Sequence, residues 1–106
     1  TGPALSPFNA WVLSKSLETL DLRMERHCKN ALALAQSLES QTDAGVLRVL
    51  YPFLPSHPQY ALARQQMRAG GAIVTVELEG GWPRIQAFYD ALRIPTRSSN
   101  LGDSRT

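Results

Sequence analysis

A chain of 106 residues has room for one core of modest size, and 43% hydrophobic content with seven glycines and seven prolines is that of an ordered globular protein. Eleven basic and nine acidic side chains, interspersed along the chain, leave a net charge of +2, too weak to indicate a nucleic-acid partner. The single cysteine, Cys28, excludes an internal disulfide framework and suits a reducing compartment, and no apolar stretch approaches the roughly 20 residues needed to span a bilayer, so the default expectation is a cytoplasmic protein.

Ser6-Pro7 is a helix-start signal, Ser as N-cap and Pro at the first helical position, where its missing N–H costs nothing. A short helix should follow to about Leu17, and Phe8, Trp11, Val12 and Leu13 cover enough of it to predict packing on two sides, part of it against another domain or subunit. From Leu17 the apolar residues Leu17, Leu20, Met24, Cys28, Ala31, Ala35 and Leu38 recur at steps of three and four, the signature of one helical face. A helix over 20–40 follows, with Arg23, Arg26, Lys29 and Gln36 on its solvent side. Gln41 to Gly45 reads as a turn.

Val46 to Tyr51 reads as a strand that Pro52 stops. Ser56-His57-Pro58-Gln59 matches a capping box for a helix reaching about Met67. After Gly70-Gly71, Ala72, Val74, Val76 and Leu78 alternate with Thr75 and Glu77, the pattern of a half-exposed strand. Gly80-Gly81 is a turn, Pro83 starts a helix with Ile85, Phe88 and Leu92 on its buried face, and Ile94 to Ser98 suits a last edge strand interrupted by Pro95. The order α-α-β-α-β-α-β predicts an α+β two-layer sandwich, helices on a small, mainly antiparallel sheet. The tail from Ser99 lacks periodicity and a closing cap, and is expected to continue beyond Thr106.

Spacing alone assembles no active site. His27 and His57 lack partners at metal-ligand spacing and read as structural, and Cys28 lies on the apolar stripe as a core residue. Gly70-Gly71 and Gly80-Gly81 lack the phosphate-loop spacing, and no nucleophile elbow occurs. Arg64, Arg68, Arg84, Arg93 and Arg97 are spread over several elements without interleaved aromatics and read as solvated surface. Lys15 and Lys29 lie on helices in ordinary surroundings, so neither stands out as a Schiff-base former.

The run Gly2-Pro3-Ala4-Leu5-Ser6-Pro7-Phe8-Asn9-Ala10-Trp11, followed by Leu17-Glu18-Thr19-Leu20 and Arg23-Met24-Glu25-Arg26-His27, resembles the pyridoxal-phosphate (PLP) enzymes of cysteine and methionine transsulfuration. Leu54-Pro55-Ser56-His57-Pro58-Gln59, the Gly70-Gly71 pair and Ser99-Asn100-Leu101-Gly102-Asp103 fall in that family's order. Within it, Asn100-Leu101-Gly102-Asp103 most resembles the O-succinylhomoserine sulfhydrylases, with cystathionine γ-synthase and methionine γ-lyase as alternative subfamilies.

The resemblance implies that residues 1–40 form a helical linker from a PLP-binding domain and that 41–106 belong to the small C-terminal α+β domain of a fold-type I enzyme. It implies PLP as the parent's cofactor, with the PLP lysine and phosphate-binding residues upstream of this segment and the carboxylate-binding arginine downstream, a motif that Arg105 does not match. The chain by itself is then expected to be inactive and to bind no PLP. Its expected partners are the remainder of the enzyme and the other subunits of a homotetramer, with self-association of the isolated chain through exposed apolar surface. Asn100, Leu101 and Gly102 alone map to a segment that approaches the substrate, Asn100 being suited to donate to its carboxylate. Ser16 stands where the family usually carries Gly, a departure at the junction of the first two helices. A free-standing, non-catalytic α+β interaction module is the alternative reading.

Overall fold

The computed structural model describes residues 4–41 and 44–99. Helix α1 (Pro7–Leu17) begins as its sequence requires: Ser6 is extended, and its hydroxyl accepts from the Asn9 N–H at 3.2 Å while Pro7 fills the first turn. No residue of α1 is buried, however, and Phe8, Trp11 and Leu13 are exposed, so the described residues of this chain do not supply the expected packing on two sides. Helix α2 (Leu20–Glu39) follows after Glu18 and Thr19. Its apolar stripe divides in two. Ala31 and Ala35 are buried and Leu38 partly so, whereas Leu20 and Met24 are exposed.

The buried half of α2 meets strand β1 (Val46–Leu50). Two alanines one turn apart are what allow this, because a side chain that ends at Cβ lets the neighbouring element approach the helix backbone. Strand β2 (Thr75–Leu78) pairs antiparallel with β1, in the register Val46 to Leu78, Arg48 to Glu77, Val49 to Val76 and Leu50 to Thr75. An irregularity between Val46 and Arg48 leaves Leu47 as the extra residue. Side chains alternate across a strand, so Val46 and Val49, three positions apart, would otherwise face opposite ways. The bulge turns both toward the core and ejects Leu47 into solvent. Opposite Glu77, Arg48 lies on the outer face and donates through Nε and Nη2 to the two carboxylate oxygens at 3.0 and 2.7 Å.

Helix α3 (Tyr60–Gln66) starts three residues later than the capping box predicts. Ser56 does not cap it. Its hydroxyl donates instead to the Glu39 carboxylate at the end of α2, and successive turns carry the chain to Tyr60: the His57 N–H reaches the Leu54 carbonyl, and the Tyr60 N–H reaches that of His57. The second strand is shorter than expected: its pairing ends where Thr75 meets Leu50, the last residue of β1, and Ala72 and Ile73 are exposed beside the Gly70-Gly71 turn, while Val74 still packs on the core. Helix α4 (Gly81–Ala91) follows Gly80, whose φ of 93° suits the residue without a side chain. Of the buried face assigned to α4, Ile85 and Phe88 are more than two-fifths exposed, and Leu92, at the C-cap, is half-buried. Nor is there a third strand among the described residues. Ile94 is 87% exposed, Pro95 lacks a ladder donor, and Arg97 turns back onto α4 by pairing with Asp90 at 2.8 Å.

The fold is thus α+β, helices on a small antiparallel sheet, with the core formed by Ala31, Ala35, Val49, Tyr51 and Leu54. The Cα radius of gyration of 17.5 Å exceeds the roughly 13 Å of a compact domain this long, consistent with helices that stand off the core.

Gly70 marks the tightest point. A Cβ there would come within 2.6 Å of the Tyr51 ring, whereas at Gly71, with φ of 85°, it would meet nothing. Gly70→Ala is expected to lower stability by about 1–3 kcal/mol through overpacking. Gly71→Ala is expected to cost roughly 1–2 kcal/mol through backbone strain alone. Urea midpoints at unchanged slope measure both. A Gly70→Ala chain as stable as the parent chain would contradict the close approach.

Candidate functional site

Tyr51 follows β1 directly, and the turn at Pro52 sends its side chain under the sheet, where it is 1% exposed. Its hydroxyl lies 3.2 Å from the Cys28 carbonyl of α2 and 3.0 Å from the Gly71 carbonyl of the glycine turn. One phenolic hydrogen serves both acceptors. Burial, and next the neighbouring Cys28, push the Tyr51 phenol above its ordinary value of 10.0. The residue therefore stays neutral and acts as a hydrogen-bond donor, not as an acid or base at neutral pH.

Two shallow clefts flank this knot. One is lined by Leu50, Pro52, His57, Gly70, Gly71, Ala72, Ile73 and Thr75. Within it His57 is the ionisable side chain, and its Nδ1 accepts from the Gln59 N–H at 3.1 Å, which ties the imidazole to the start of α3. The other is lined by Val46 to Leu50, Glu39, Ser56 and Pro58. There the polar groups satisfy one another, Glu39 with Ser56 and Arg48 with Glu77. Glu77, first through its hydrogen bonds and then through its charge, raises the Arg48 guanidinium further above its high ordinary value. Neither cleft brings a nucleophile to a base.

His27 is half-buried on α2, and Cys28 is a half-buried free thiol on the flank of the stripe. No three potential metal ligands cluster among the described residues, and no described helix is long and apolar enough to cross a membrane. The expected substrate-side residues Asn100, Leu101 and Gly102, and likewise Arg105, lie outside the described residues.

Periodicity did not single out Tyr51 or Arg23. Tyr51 carries a signal after the fact, a large polar aromatic between a strand and a proline, facing a Gly-Gly pair. Arg23, on the expected solvent side of α2, is half-buried and donates to the Thr19 hydroxyl at 3.2 Å and the Ser16 carbonyl at 2.8 Å. Of the arginines read as solvated surface, Arg64 lies over the Phe53 ring at 4.7 Å, Arg84 donates to the Ala44 carbonyl at 3.1 Å, and Arg97 adds to its ion pair a position over the Tyr89 ring at 5.0 Å.

The model of the Cys/Met metabolism PLP-dependent enzymes matches residues 1–106. The chain belongs to that family. It is 50% identical over 105 residues to an O-succinylhomoserine sulfhydrylase of Pseudomonas aeruginosa, covering 99% of this chain and 26% of the relative, and 43% identical over 106 residues to an L-methionine gamma-lyase of Pseudomonas putida, again 26% of its length. Among solved structures, an O-acetylhomoserine sulfhydrylase of Wolinella succinogenes superimposes with a TM-score of 0.89 at 44% identity, over 98% of this chain and 30% of that one. A cystathionine gamma synthase of Xanthomonas oryzae gives 0.83 at 42% identity, over 92% and 24%. The chain thus spans about a quarter of the length of the curated relatives it matches.

The family is PLP-dependent, and the described residues do not fit the cofactor. Lys15 is exposed and pairs with Glu18 at 2.9 Å, and Lys29 is exposed on α2. A lysine that forms a Schiff base needs an enclosing pocket that lowers its charge. Among the described residues, neither lysine lies in one.

Tyr51→Phe is expected to cost about 1 kcal/mol, the net worth of the lost hydrogen bond. Because the folded state raises the phenol's pKa, that contribution is present below about pH 10 and is lost as pH climbs through the folded value. Urea titrations at rising pH should show a steeper alkaline decline for the unsubstituted chain than for Tyr51→Phe. Parallel declines would contradict the donor role.

Proposed function

We propose that this chain is part of a PLP-dependent enzyme that makes homocysteine from O-succinylhomoserine and sulfide, with release of succinate, in methionine biosynthesis. The observation that supports this reading most directly is the 50% identity, along 99% of the chain, with the Pseudomonas aeruginosa O-succinylhomoserine sulfhydrylase. PLP, held by the remainder of the enzyme, supplies the electron sink for the reaction.

This segment contributes scaffold. Residues 1–40 serve as a helical linker whose second half docks onto the sheet, and residues 41–106 form part of the small C-terminal domain. Asn100, Leu101 and Gly102 provide the edge that faces substrate, where the Asn100 amide donates to the substrate carboxylate and so orients it. The natural partners are the rest of the polypeptide and the other subunits of a homotetramer in the cytoplasm. The exposed Phe8, Trp11, Leu13 and Leu17 support contact with that remainder, and favour self-association when the chain is alone.

The enzyme that contains this chain is expected to form homocysteine from O-succinylhomoserine and sulfide with a higher kcat/KM than it shows for O-acetylhomoserine or for methionine elimination. Asn100→Ala should raise KM more than it lowers kcat. The isolated chain mixed with PLP should yield no borohydride-trapped lysine. Preferred turnover of methionine, or stoichiometric trapping of PLP on Lys15 or Lys29, would overturn the reading.

A further inference from the structure

Between the end of α1 at Leu17 and the start of α2 at Leu20, only Glu18 and Thr19 separate the two helices. A terminating helix leaves its last carbonyls without intrahelical donors. Around this elbow the polar groups are allotted one by one. The Ser16 hydroxyl turns back to the Val12 carbonyl at 2.8 Å, and Lys15 pairs with Glu18. The Ser16 carbonyl is taken from the other side, by Nη2 of Arg23 at 2.8 Å, while Nε of the same guanidinium holds the Thr19 hydroxyl at 3.2 Å.

These two bonds leave one rigid, planar group and end on both sides of the elbow, Ser16 within α1 and Thr19 at the N-cap of α2. The cation also lies at the C-terminal end of α1, where the aligned peptide dipoles favour positive charge. Elsewhere α1 has no buried residue to fix its direction, and its Phe8 and Trp11 rings, with centroids 6.1 Å apart, are open to solvent. Among the described residues of this chain, what holds α1 at a defined angle therefore acts at the elbow. We propose that Arg23 is a positioning residue that locks the α1–α2 angle by clamping Ser16 and Thr19, and thereby presents the Phe8–Trp11 face in one direction. The clamp stands whichever reaction the parent enzyme catalyses.

Spin labels at Asn9→Cys and Gln36→Cys in a Cys28→Ala background report the angle as a distance distribution, with labelled chain diluted in unlabelled chain to suppress intermolecular pairs. With Arg23 in place the distribution should be narrow. Arg23→Ala should broaden or shift it while the urea midpoint, set around Tyr51, changes little. Thr19→Val, which keeps the Ser16 bond, and Arg23→Lys, which cannot span both acceptors, should fall between. Should α1 melt in Arg23→Ala, seen as lost helical circular dichroism, the latter two variants decide. Unchanged distributions in Thr19→Val and Arg23→Lys, or an effect confined to the urea midpoint, would overturn the proposal.

Discussion

Tyr51 leaves the end of β1 with its ring against Gly70 and its hydroxyl between the carbonyls of Cys28 and Gly71, so one side chain joins the long helix, the sheet and the glycine turn. The rest of the packed structure is arranged around that junction. Ala31 and Ala35 let the sheet approach α2, the bulge at Leu47 turns Val46 and Val49 inward together, and Leu54 closes the core from the following turn. A phenol in this position must stay protonated, because an anion there would be buried beside two carbonyl oxygens. The same requirement removes Tyr51 from acid–base chemistry and makes it a structural donor.

Away from Tyr51, arginines hold the elements together. Arg23 spans the elbow of α1 and α2, Arg48 bridges the two strands on their outer face, Arg84 ties α4 to the chain entering β1, and Arg97 folds the segment after α4 onto Asp90 and Tyr89. Exposed ion pairs contribute little stability each, yet a forked donor restricts geometry strongly. This use of arginine accounts for a basic balance without a basic binding stripe. It also places the burden of orientation on the surface, since α1 and α4 bury no residue of their own.

The helices were legible because their signals are local. Ser6-Pro7 fixes the start of α1, and the three-and-four spacing from Leu20 to Leu38 fixes α2. The features that escaped depend on partners distant in sequence. The side chain of Ser56 can cap a helix or reach Glu39, and only the fold brings Glu39 within reach. Ile85 and Phe88 show a helical stripe that predicts burial, but periodicity marks an apolar face without showing whether anything covers it. Likewise Ile94 to Ser98 has the composition of a strand and no strand beside it among the described residues. As for the candidate site, family motifs pointed to Asn100, Leu101 and Gly102, which lie outside the described residues, whereas the Tyr51 knot was not legible because Cys28 and Gly71 are 23 and 20 positions away.

The molecule is one packed centre with apolar helical surface around it, in a chain of the PLP-dependent Cys/Met family. Amide hydrogen exchange, resolved by residue, tests that division most directly, because protection reports local opening free energy. The slowest exchange should fall in residues 28–38 of α2, in 46–54 and in α3, with α1 and α4 exchanging far faster. Protection in α1 and α4 equal to that around Tyr51 would contradict the account.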